Sequence, residues 1–559
     1  MRKLIQCIML LFFSLSLFAQ SGRIEKNERL FQLMQRYEIK YGHYDGFMGN
    51  SPLSREEVHD YFYALDSVGL APKEEYDRNI VLQNLAENLP IELSDSKPWY
   101  RYFYENRAYL FDLKKKDFWI SVNPIIYLKG GIENGDNYIL QNTRGIRLKG
   151  ALGKKVYFSS AIYENQASFL EYQNNRINRF KTISGQAFYK AFNFNIDNES
   201  YDFLNADGFV GLKINKFINA ELGHGRHFIG HGIRSMLLSD YSTNYLYLRT
   251  NTRIWKFNYQ NLFAELSPFT ERLFTADSDI LPKKYMAQHI LSFKLNHAIE
   301  LGIVETVIFS RINNFEFQYL NPIIFYRTVE QFLNSPDNVL IGAQGKWNIT
   351  PGLQIYGQVI VDEFNLNQLR EDINWWGNKV GIQAGAKYVD AFNINMLDLQ
   401  LEFNAARPYL YTHNGTFEDT NISKANYSHF SQPLAHPLGA NFYEFLANIN
   451  YKITNRLTVN PRLLYTLQGI DPVDQYFGEN ILTNNGLRVA TANQRILQGD
   501  KVAVTMLTLN GSYEFFPNYF ADINLLYRNS ISDRAEYNIQ SLYFGAGIRF
   551  NFQEDHRDY

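Results

Sequence analysis

Residues 541–552 read SLYFGAGIRFNF, and their side chains alternate in character along the chain. The apolar set is Leu542, Phe544, Ala546, Ile548, Phe550 and Phe552, and the set between them is Tyr543, Gly545, Gly547, Arg549 and Asn551. Successive side chains of a β-strand point to opposite faces, so this strict alternation predicts a strand with one apolar face.

The same period of two begins near Asp117 and continues to the end of this strand. In MLDLQLEFNA (396–405), leucines and a phenylalanine alternate with Asp398, Gln400, Glu402 and Asn404. Residues 379–388 repeat the pattern, with Lys379, Gln383 and Lys387 on the polar face. Similar segments occur near 155–164, 254–266, 299–309, 354–361, 457–467, 503–515 and 520–528. Strands with one apolar and one polar face are typical of transmembrane barrels, which face lipid outside and water inside.

Composition narrows the class of protein. The chain has 559 residues, a net charge of −2, 20% charged residues and 16% aromatic residues, including 39 Tyr. The near-neutral charge gives no electrostatic indication of a nucleic-acid partner. After the first 19 residues we find no uninterrupted apolar run of the roughly 20 residues that a membrane helix needs.

The first residues predict export. MRKLIQCIMLLFFSLSLFA combines a basic start, an apolar stretch and a small residue at position 19, so we expect residues 1–19 to be a cleaved signal peptide. Cys7 lies inside this stretch and is the only cysteine. The mature chain is therefore expected to have no disulfide, no thiol chemistry and no cysteine-bound metal.

Residues 20–116 show helical patterns instead. Ser54 and Glu57 match a capping box, and apolar residues follow them at helical spacing. A second helix is predicted from Pro72 to Leu89, ended by Pro90. We expect these helices to form a small bundle near the periplasmic mouth of a barrel.

The predicted fold is therefore an all-β transmembrane protein, an antiparallel outer-membrane β-barrel over residues 117–552 with a short tail at 553–559. At roughly ten residues per strand plus turns, about 18 strands fit, and 16 are possible. A final strand ending in Phe resembles the assembly signal of bacterial outer-membrane barrels. A large soluble sandwich or propeller is the alternative. Loop character at 130–142, 165–206, 267–284, 405–440 and 468–500 predicts the outward connections, exposed at the surface of a Gram-negative cell.

Residues 223–240, GHGRHFIGHGIRSMLLSD, contain several histidine, arginine, serine and aspartate side chains that could bind a ligand or take part in catalysis. A zinc site through His224, His227 and His231 is disfavoured because a strand would not place them on one face. A triad of Ser235, His231 and Asp240 is disfavoured because no Gly-x-Ser-x-Gly elbow is present. We favour a structural role, in which the glycines permit close approach and a bend and the segment folds inward. The remaining interpretation is a polar or sugar ligand site using Arg226, His227 and Arg234.

Three further residues are candidate ligand contacts. Trp375 and Trp376 could stack a sugar ring, although an aromatic girdle at the membrane boundary is the favoured interpretation of this pair. Arg407, in ARPY, lies near the start of the predicted loop 405–440 at the outer end of the barrel and could contact the same ligand.

The 223–240 segment also resembles a signature of the gliding motility RemB family of Bacteroidetes, which is related to the Wzi class of capsule assembly outer-membrane proteins. Residues 362–388, LEFNAARPYLYTH (401–413), QPLAHPLGANFYEF (432–445) and SPLSREEV (51–58) agree with it. The resemblance implies an 18-stranded barrel with N-terminal helices, and a role in gliding or in holding surface polysaccharide. It implies no catalytic residues.

Three hypotheses of function follow. The first is a non-enzymatic surface protein without a cofactor, with outer-membrane lipid, surface polysaccharide or gliding-machinery proteins as partners. The second is an outer-membrane channel for a small polar solute. The third is a membrane-embedded hydrolase centred on residues 224–240.

Overall fold

The computed structural model describes residues 22–85, 103, 106, 108–115, 117–153, 155–194, 198–268, 282–311, 315–323, 325–335, 337–362, 372–416, 423–552 and 558–559. The expected signal peptide (1–19) lies outside the described residues, and so does most of the expected tail (553–559).

Eighteen long strands form a closed antiparallel barrel. In chain order they are β1 (Phe118–Glu133), β2 (Asn137–Leu152), β3 (Val156–Ser168), β4 (Ser200–Lys213), β5 (Ile218–Gly225), β6 (Tyr245–Ile254), β7 (Phe257–Leu266), β8 (Lys284–Lys294), β9 (Ile299–Phe309), β10 (Asn338–Thr350), β11 (Leu353–Val361), β12 (Val380–Tyr388), β13 (Leu397–Ala406), β14 (Phe442–Lys452), β15 (Leu457–Ile470), β16 (Asp500–Phe516), β17 (Tyr519–Ser532) and β18 (Gln540–Phe550). The barrel closes where β18 pairs with β1, with Tyr543 opposite Glu133 and Phe550 opposite Ile126. The predicted barrel and its 18 strands are confirmed.

Shorter elements accompany the wall. The α-helices are α1 (Arg29–Tyr41), α2 (Arg55–Ala64), α3 (Pro72–Asn84), α4 (Glu171–Phe180) and α5 (Tyr326–Leu333). Short strands lie at Arg23–Ile24, Asn50–Ser51, Leu53–Ser54, Phe111–Lys114, Lys190–Phe192, Phe228–Ile229, Ser428–His429 and Gln432–Pro433. Single 3-10 turns lie at Leu65–Ser67, Phe317–Leu320, Ala391–Asn393, Asn485–Leu487 and Ala535–Tyr537. No helix in the described part of the chain is long and apolar enough to cross a membrane.

The alternation of side chains matches the two faces of the wall. On β13, Leu401 is 50% exposed on the outside, whereas Glu402 and Asn404 are buried inside. On β18, Leu542 and Phe544 are exposed on the same outer surface. The outer face is therefore apolar and the lumen is polar, as a lipid-embedded barrel requires.

The two ends of the barrel differ. Most connections after odd-numbered strands are long, including 169–199, 226–244, 407–441 and 471–499, and they define the long-loop mouth. Every connection after an even-numbered strand has eight residues or fewer, which defines the short-turn mouth.

One loop prediction is wrong. Residues 130–142 belong mainly to the β1–β2 hairpin, with only 134–136 outside the strands. The misreading has a physical reason. Polar residues such as Gln141 face the lumen, so a barrel strand can be rich in Asn, Gln and Gly without being a loop.

The N-terminal helices lie at the short-turn mouth. Arg29 on α1 forms a 2.7 Å ion pair with Glu514 near the end of β16, and Arg253 near the end of β6 pairs with Glu57 on α2 at 2.6 Å. Ser54 caps α2 by accepting a hydrogen bond from the Glu57 amide, as predicted. Helix α3 ends at Asn84, short of the predicted Leu89, which lies outside the described residues together with Pro90.

Candidate functional site

The segment between β5 and β6, residues 226–244, does not extend outward but folds into the barrel; we call it the lumenal loop. Phe228 pairs with Ser51 and Ile229 with Asn50, which joins the loop to the N-terminal region. The Gly230 amide adds a 2.9 Å hydrogen bond to the Gly49 carbonyl. The lumenal loop therefore reaches from the wall to the segment that closes the short-turn mouth.

Two glycines allow the sharp return of this loop. Gly230 has a φ of +138°, which L side chains rarely adopt. At Gly232, a Cβ atom would lie 2.5 Å from Glu402 Oε2. The absence of that atom lets the Glu402 carboxylate receive the amides of Ile233 at 2.6 Å and Arg234 at 2.9 Å.

The next turn is held by side chains from distant strands and loops. The Ser235 hydroxyl donates to the Ile229 carbonyl at 2.5 Å and accepts the amides of Leu237 and Leu238. Tyr411 and Tyr427 donate their hydroxyls to the Met236 and Leu237 carbonyls, each at 2.7 Å. Met236, Leu237 and Leu238 are buried in the largest apolar cluster, with side chains of the wall and of loop 407–441. This part of the lumen is a packed core.

The three histidines do not form one site. His224 is exposed on the outer face of β5, whereas His227 and His231 are buried inside. His227 Nδ1 lies 3.2 Å from the Tyr245 hydroxyl, and the His227 ring packs edge-on against Tyr247 at 4.4 Å. Among the described residues, no group of three His, Cys, Asp or Glu side chains could hold a metal ion.

Burial disfavours the charged form of both inner histidines. Burial lowers the pKa of His227 well below its usual range, and the charges of Arg249 and Arg23 add to the effect. Burial and the charges of Lys346 and Lys387 lower the pKa of His231 in the same way. A neutral imidazole in such surroundings acts as a packed ring.

The catalytic triad also fails on geometry. In the described structure no hydrogen bond joins Ser235 to His231, because the Ser235 hydroxyl is directed at the backbone of its own turn. The His231 Nε2 atom lies 3.8 Å from the Glu300 carboxylate instead. Ser235 is completely buried, so a substrate could not reach it.

The two arginines of the lumenal loop have different partners. Arg226 donates to the Asp240 carbonyl at 2.9 Å and so links the two ends of the loop. Arg234 forms a 2.6 Å ion pair with Asp558 and a 3.3 Å ion pair with Glu444. Arg226, Arg234 and His227 thus all lie inside the barrel.

The other three predicted contacts lie at the long-loop mouth. The guanidinium of Arg488, in loop 471–499, stacks 4.1 Å from the centroid of the Trp376 ring. The centroids of the Trp375 and Trp376 rings are 5.7 Å apart. Arg407 donates to the Gln494 carbonyl of the same loop at 3.2 Å. Because Trp376 packs against mouth loops, the girdle interpretation does not describe it. Exposed tryptophans of the outer wall, Trp255 and Trp347, lie near the short-turn mouth instead.

Two adjoining cavities lie inside the barrel. Their volumes are about 370 and 520 Å³. They share lining residues such as Lys26, Arg226, Asp240 and Asn450. Trp375, Trp376 and Arg407 are absent from the described linings of both cavities. The predicted residues are therefore divided between an internal group and a mouth group.

Several important residues were not singled out from the sequence. Glu402 and Gln358 hold the lumenal loop, and Glu444 holds Arg234. Their signal is their place on the polar face of predicted strands. Alternation shows that such side chains point into the lumen, but their partners lie more than 100 residues away along the chain.

No family model matches this chain, and no curated protein matches it. Its fold is similar to the solved structure of Wzi from Escherichia coli, described as an outer-membrane protein involved in group 1 capsule assembly and a carbohydrate-binding β-barrel. The identity is 13%, with 96% of this chain and 100% of Wzi covered at a TM-score of 0.56.

Other solved outer-membrane barrels are less similar. OprD from Pseudomonas aeruginosa has 8% identity, 77% of this chain and 94% of that chain covered, and a TM-score of 0.42. OccAB4 from Acinetobacter baumannii has 8% identity, 78% and 98% coverage, and a TM-score of 0.39. Of these three, the likeness to Wzi, with a TM-score of 0.56, bears on the fold. The chain is thus a closed outer-membrane β-barrel with N-terminal helices and a fold similar to that of Wzi.

Proposed function

We propose that the protein is a non-enzymatic outer-membrane protein that holds surface polysaccharide at its long-loop mouth. The observation that carries the proposal is the likeness to Wzi along nearly the whole of both chains, 96% and 100%. That neighbour is described as a carbohydrate-binding barrel involved in capsule assembly. The motifs at 223–240, 401–413 and 432–445 support the same class of function.

The contents of the lumen argue against an open channel. The lumenal loop crosses the interior and pairs with residues 50–51, and α1 adds contacts at the short-turn mouth. Buried Glu38 of α1 forms an ion pair with Lys346 on β10, which ties the helix to the inside of the wall. A solute path would require these contacts to break together.

The interior also argues against hydrolysis. Ser235, His227 and His231 are buried and serve as packing or hydrogen-bonding groups of the lumenal loop. An enzyme needs a nucleophile and a base within reach of each other and of substrate. These residues do not meet that requirement.

The mouth group offers the better surface for a sugar chain. Trp375 and Trp376 are half-buried, the guanidinium of Arg488 stacks on Trp376, and Arg407 holds the carbonyl of Gln494 in the same mouth loop. Aromatic rings provide apolar faces on which sugar rings stack, and arginines donate several hydrogen bonds in a fixed plane. In this proposal Arg226, His227 and Arg234 shape the barrel beneath the mouth.

The test is genetic and uses surface polysaccharide as the readout. Deletion of the gene should release polysaccharide from the cells into the medium, and the full chain supplied from a plasmid should restore retention. A complementing copy with Trp375→Ala and Trp376→Ala should restore less than half of it. Normal retention in the deletion strain would overturn the proposal.

We propose gliding-machinery proteins as partners of the same mouth loops where the host glides. The motif resemblance to the RemB family supports this second role. Its test is colony spreading of the deletion strain, with retained polysaccharide measured in parallel. Normal spreading with lost polysaccharide would remove the gliding role and leave the first.

A further inference from the structure

The described residues Asp558 and Tyr559 lie inside the barrel, against the lumenal loop. Asp558 Oδ2 lies 2.6 Å from Arg234 Nη2 and 3.6 Å from Arg462 Nη1. Arg234 belongs to the lumenal loop and Arg462 to β15, so two separate elements direct guanidinium groups at one carboxylate. The Arg234 contact is a charge-assisted hydrogen bond, which is among the strong hydrogen bonds in proteins, and the Arg462 contact is a longer ion pair.

Tyr559 fixes the position of this carboxylate. Its hydroxyl donates to Glu444, and its ring packs with Leu446, Leu464 and Met506. The Arg234 guanidinium lies 5.2 Å from the centroid of the Tyr559 ring. The pair of residues therefore occupies its place as a ligand does, with an aromatic ring for anchoring and a carboxylate for recognition.

The charge balance explains why a carboxylate is needed there. Arg234 is buried in the lumen and the side chain of Arg462 is only 10% exposed. Glu444 is shared with His436 at 2.7 Å and Asn404 at 2.8 Å. Removing Asp558 would leave two neighbouring guanidinium groups with one fewer carboxylate. An uncompensated buried charge is strongly unfavourable, so the vacated site would favour another anion.

The site opens on the larger cavity. Arg234, Arg462 and Asp558 are all part of the lining of the 520 Å³ space. The lining of this cavity includes charged groups such as Lys387, Asp522 and Arg549. It also includes six side chains with an amide or a hydroxyl, namely Gln400, Asn448, Asn460, Thr508, Asn510 and Asn524. This volume lies within the roughly 300–1,000 Å³ of small-molecule sites, and amides match the many hydroxyls of a sugar.

We propose that Arg234 and Arg462 form a carboxylate-recognition site, which Asp558 occupies here and which takes the carboxylate of an acidic sugar when residues 558–559 are displaced. Residues 558–559 thereby act as a tethered competitor. The inference rests on the proposed function for the class of ligand, a hexuronate of an acidic polysaccharide. The site itself rests on the contacts of Asp558 alone.

The experiment compares ligand binding with and without the tethered carboxylate. Full-length wild-type protein and Asp558→Asn are purified in detergent, and each is titrated with glucuronate by calorimetry. Glucose is the control that has the sugar ring but no charge, and acetate is the control that has the carboxylate but no sugar ring. We expect Asp558→Asn to bind glucuronate at least tenfold more tightly than the wild type does. The double variant Asp558→Asn, Arg462→Gln should bind glucuronate at least tenfold more weakly than Asp558→Asn does.

Three results would overturn the inference. They are equal glucuronate affinities in wild type and Asp558→Asn, equal affinities for glucuronate and glucose, and acetate binding as tight as glucuronate binding. Should Asp558→Asn fail to fold, its refolding yield in glucuronate is compared with that in glucose. A yield at least twice as high in glucuronate supports the site, and equal yields contradict it.

The same preparations separate this inference from the proposed function. Wild-type protein is also tested for binding of the host's surface polysaccharide. Polysaccharide binding without a glucuronate gain in Asp558→Asn overturns the internal site alone. A glucuronate gain without polysaccharide binding overturns the mouth function and supports the internal site.

Discussion

At the scale of single residues, Glu402 connects the barrel wall to its contents. Its carboxylate accepts the amides of Ile233 and Arg234, and the Tyr356 hydroxyl at 2.8 Å. A buried carboxylate that accepts several hydrogen bonds compensates the cost of its own burial. The lumenal loop therefore depends on a side chain that belongs to strand β13.

Replacing this carboxylate should loosen the lumenal loop. Glu402→Gln keeps the size of the side chain but has one acceptor oxygen for two backbone amides. We therefore expect the free energy of unfolding to fall by about 2–3 kcal/mol. The measurement is the temperature at which the compact band of the barrel is lost on a gel. Glu164→Gln is the matched control, because Glu164 pairs with Arg144 on an exposed part of the wall and should contribute less than about 1 kcal/mol. Equal effects of the two substitutions would contradict this role.

His231 should make the protein sensitive to acid. Its pKa in the folded protein is held well below 6.5 by burial and by Lys346 and Lys387, although Glu300 lies 3.8 Å away. Below pH 6.5 the unfolded chain takes up a proton that the folded chain does not, so stability falls as the pH falls. We expect the transition temperature to drop less between pH 7.5 and 5.5 in His231→Phe than in the wild type. An identical drop in both proteins would show that His231 does not contribute.

The residue scale also shows what sequence could not provide. The alternation predicts that Glu402 and Glu444 face the lumen, and the glycines predict a bend near residue 230. Neither pattern identifies the partner of a charge, because Arg234 meets Glu444 and Asp558 across separations of 210 and 324 residues. Pairing of this kind is set by the closure of the whole barrel.

At the scale of elements, the wall was predictable and its contents were less so. Period-two segments such as 299–309 coincide with β9, because one face meets lipid and the other meets water. Helix α1 was not predicted, although Leu30, Phe31, Met34 and Tyr37 repeat at helical spacing and are buried. Helix α4 lies in a stretch that the sequence predicts to be a loop, because its residues, EYQNNRINRF, are mostly polar.

A disulfide tests the pairing of the lumenal loop with the N-terminal region. Asn50 and Ile229 are directly opposite in an antiparallel pair, at a separation that suits a disulfide. The double variant Asn50→Cys, Ile229→Cys should therefore cross-link in folded protein, as seen by the loss of thiol labelling. The control pairs Asn50→Cys with Val473→Cys, an exposed loop position that should keep both thiols free. Free thiols in the first variant would contradict the inward course of the loop.

At the scale of the whole molecule, the barrel is a closed wall around a folded interior. The lumenal loop and loop 407–441 fill much of the lumen, the N-terminal helices lie at the short-turn mouth, and two adjoining cavities are present. In the proposed function, the long-loop mouth is the surface for partners. The overall barrel was foreseeable from the sequence, whereas the filling of the lumen depends on long-range contacts.

A filled lumen predicts low conductance. Full-length protein in planar bilayers should show no steady open channels, whereas Arg29→Ala with Lys346→Ala should produce brief openings, because two of the ion pairs that join α1 to the wall are then lost. The control Lys283→Ala removes an exposed pair with Glu265 and should conduct no more than the wild type. Steady conductance of the unmodified protein would favour the channel hypothesis.

The most direct test of the central claim is the binding of the host's own surface polysaccharide to the detergent-purified full chain. The account predicts saturable binding that weakens at least tenfold in Trp375→Ala, Trp376→Ala, while Trp255→Ala, on the outer wall near the short-turn mouth, binds as the wild type does. Absence of saturable binding in wild-type protein that still shows its compact, heat-modifiable form would contradict the account.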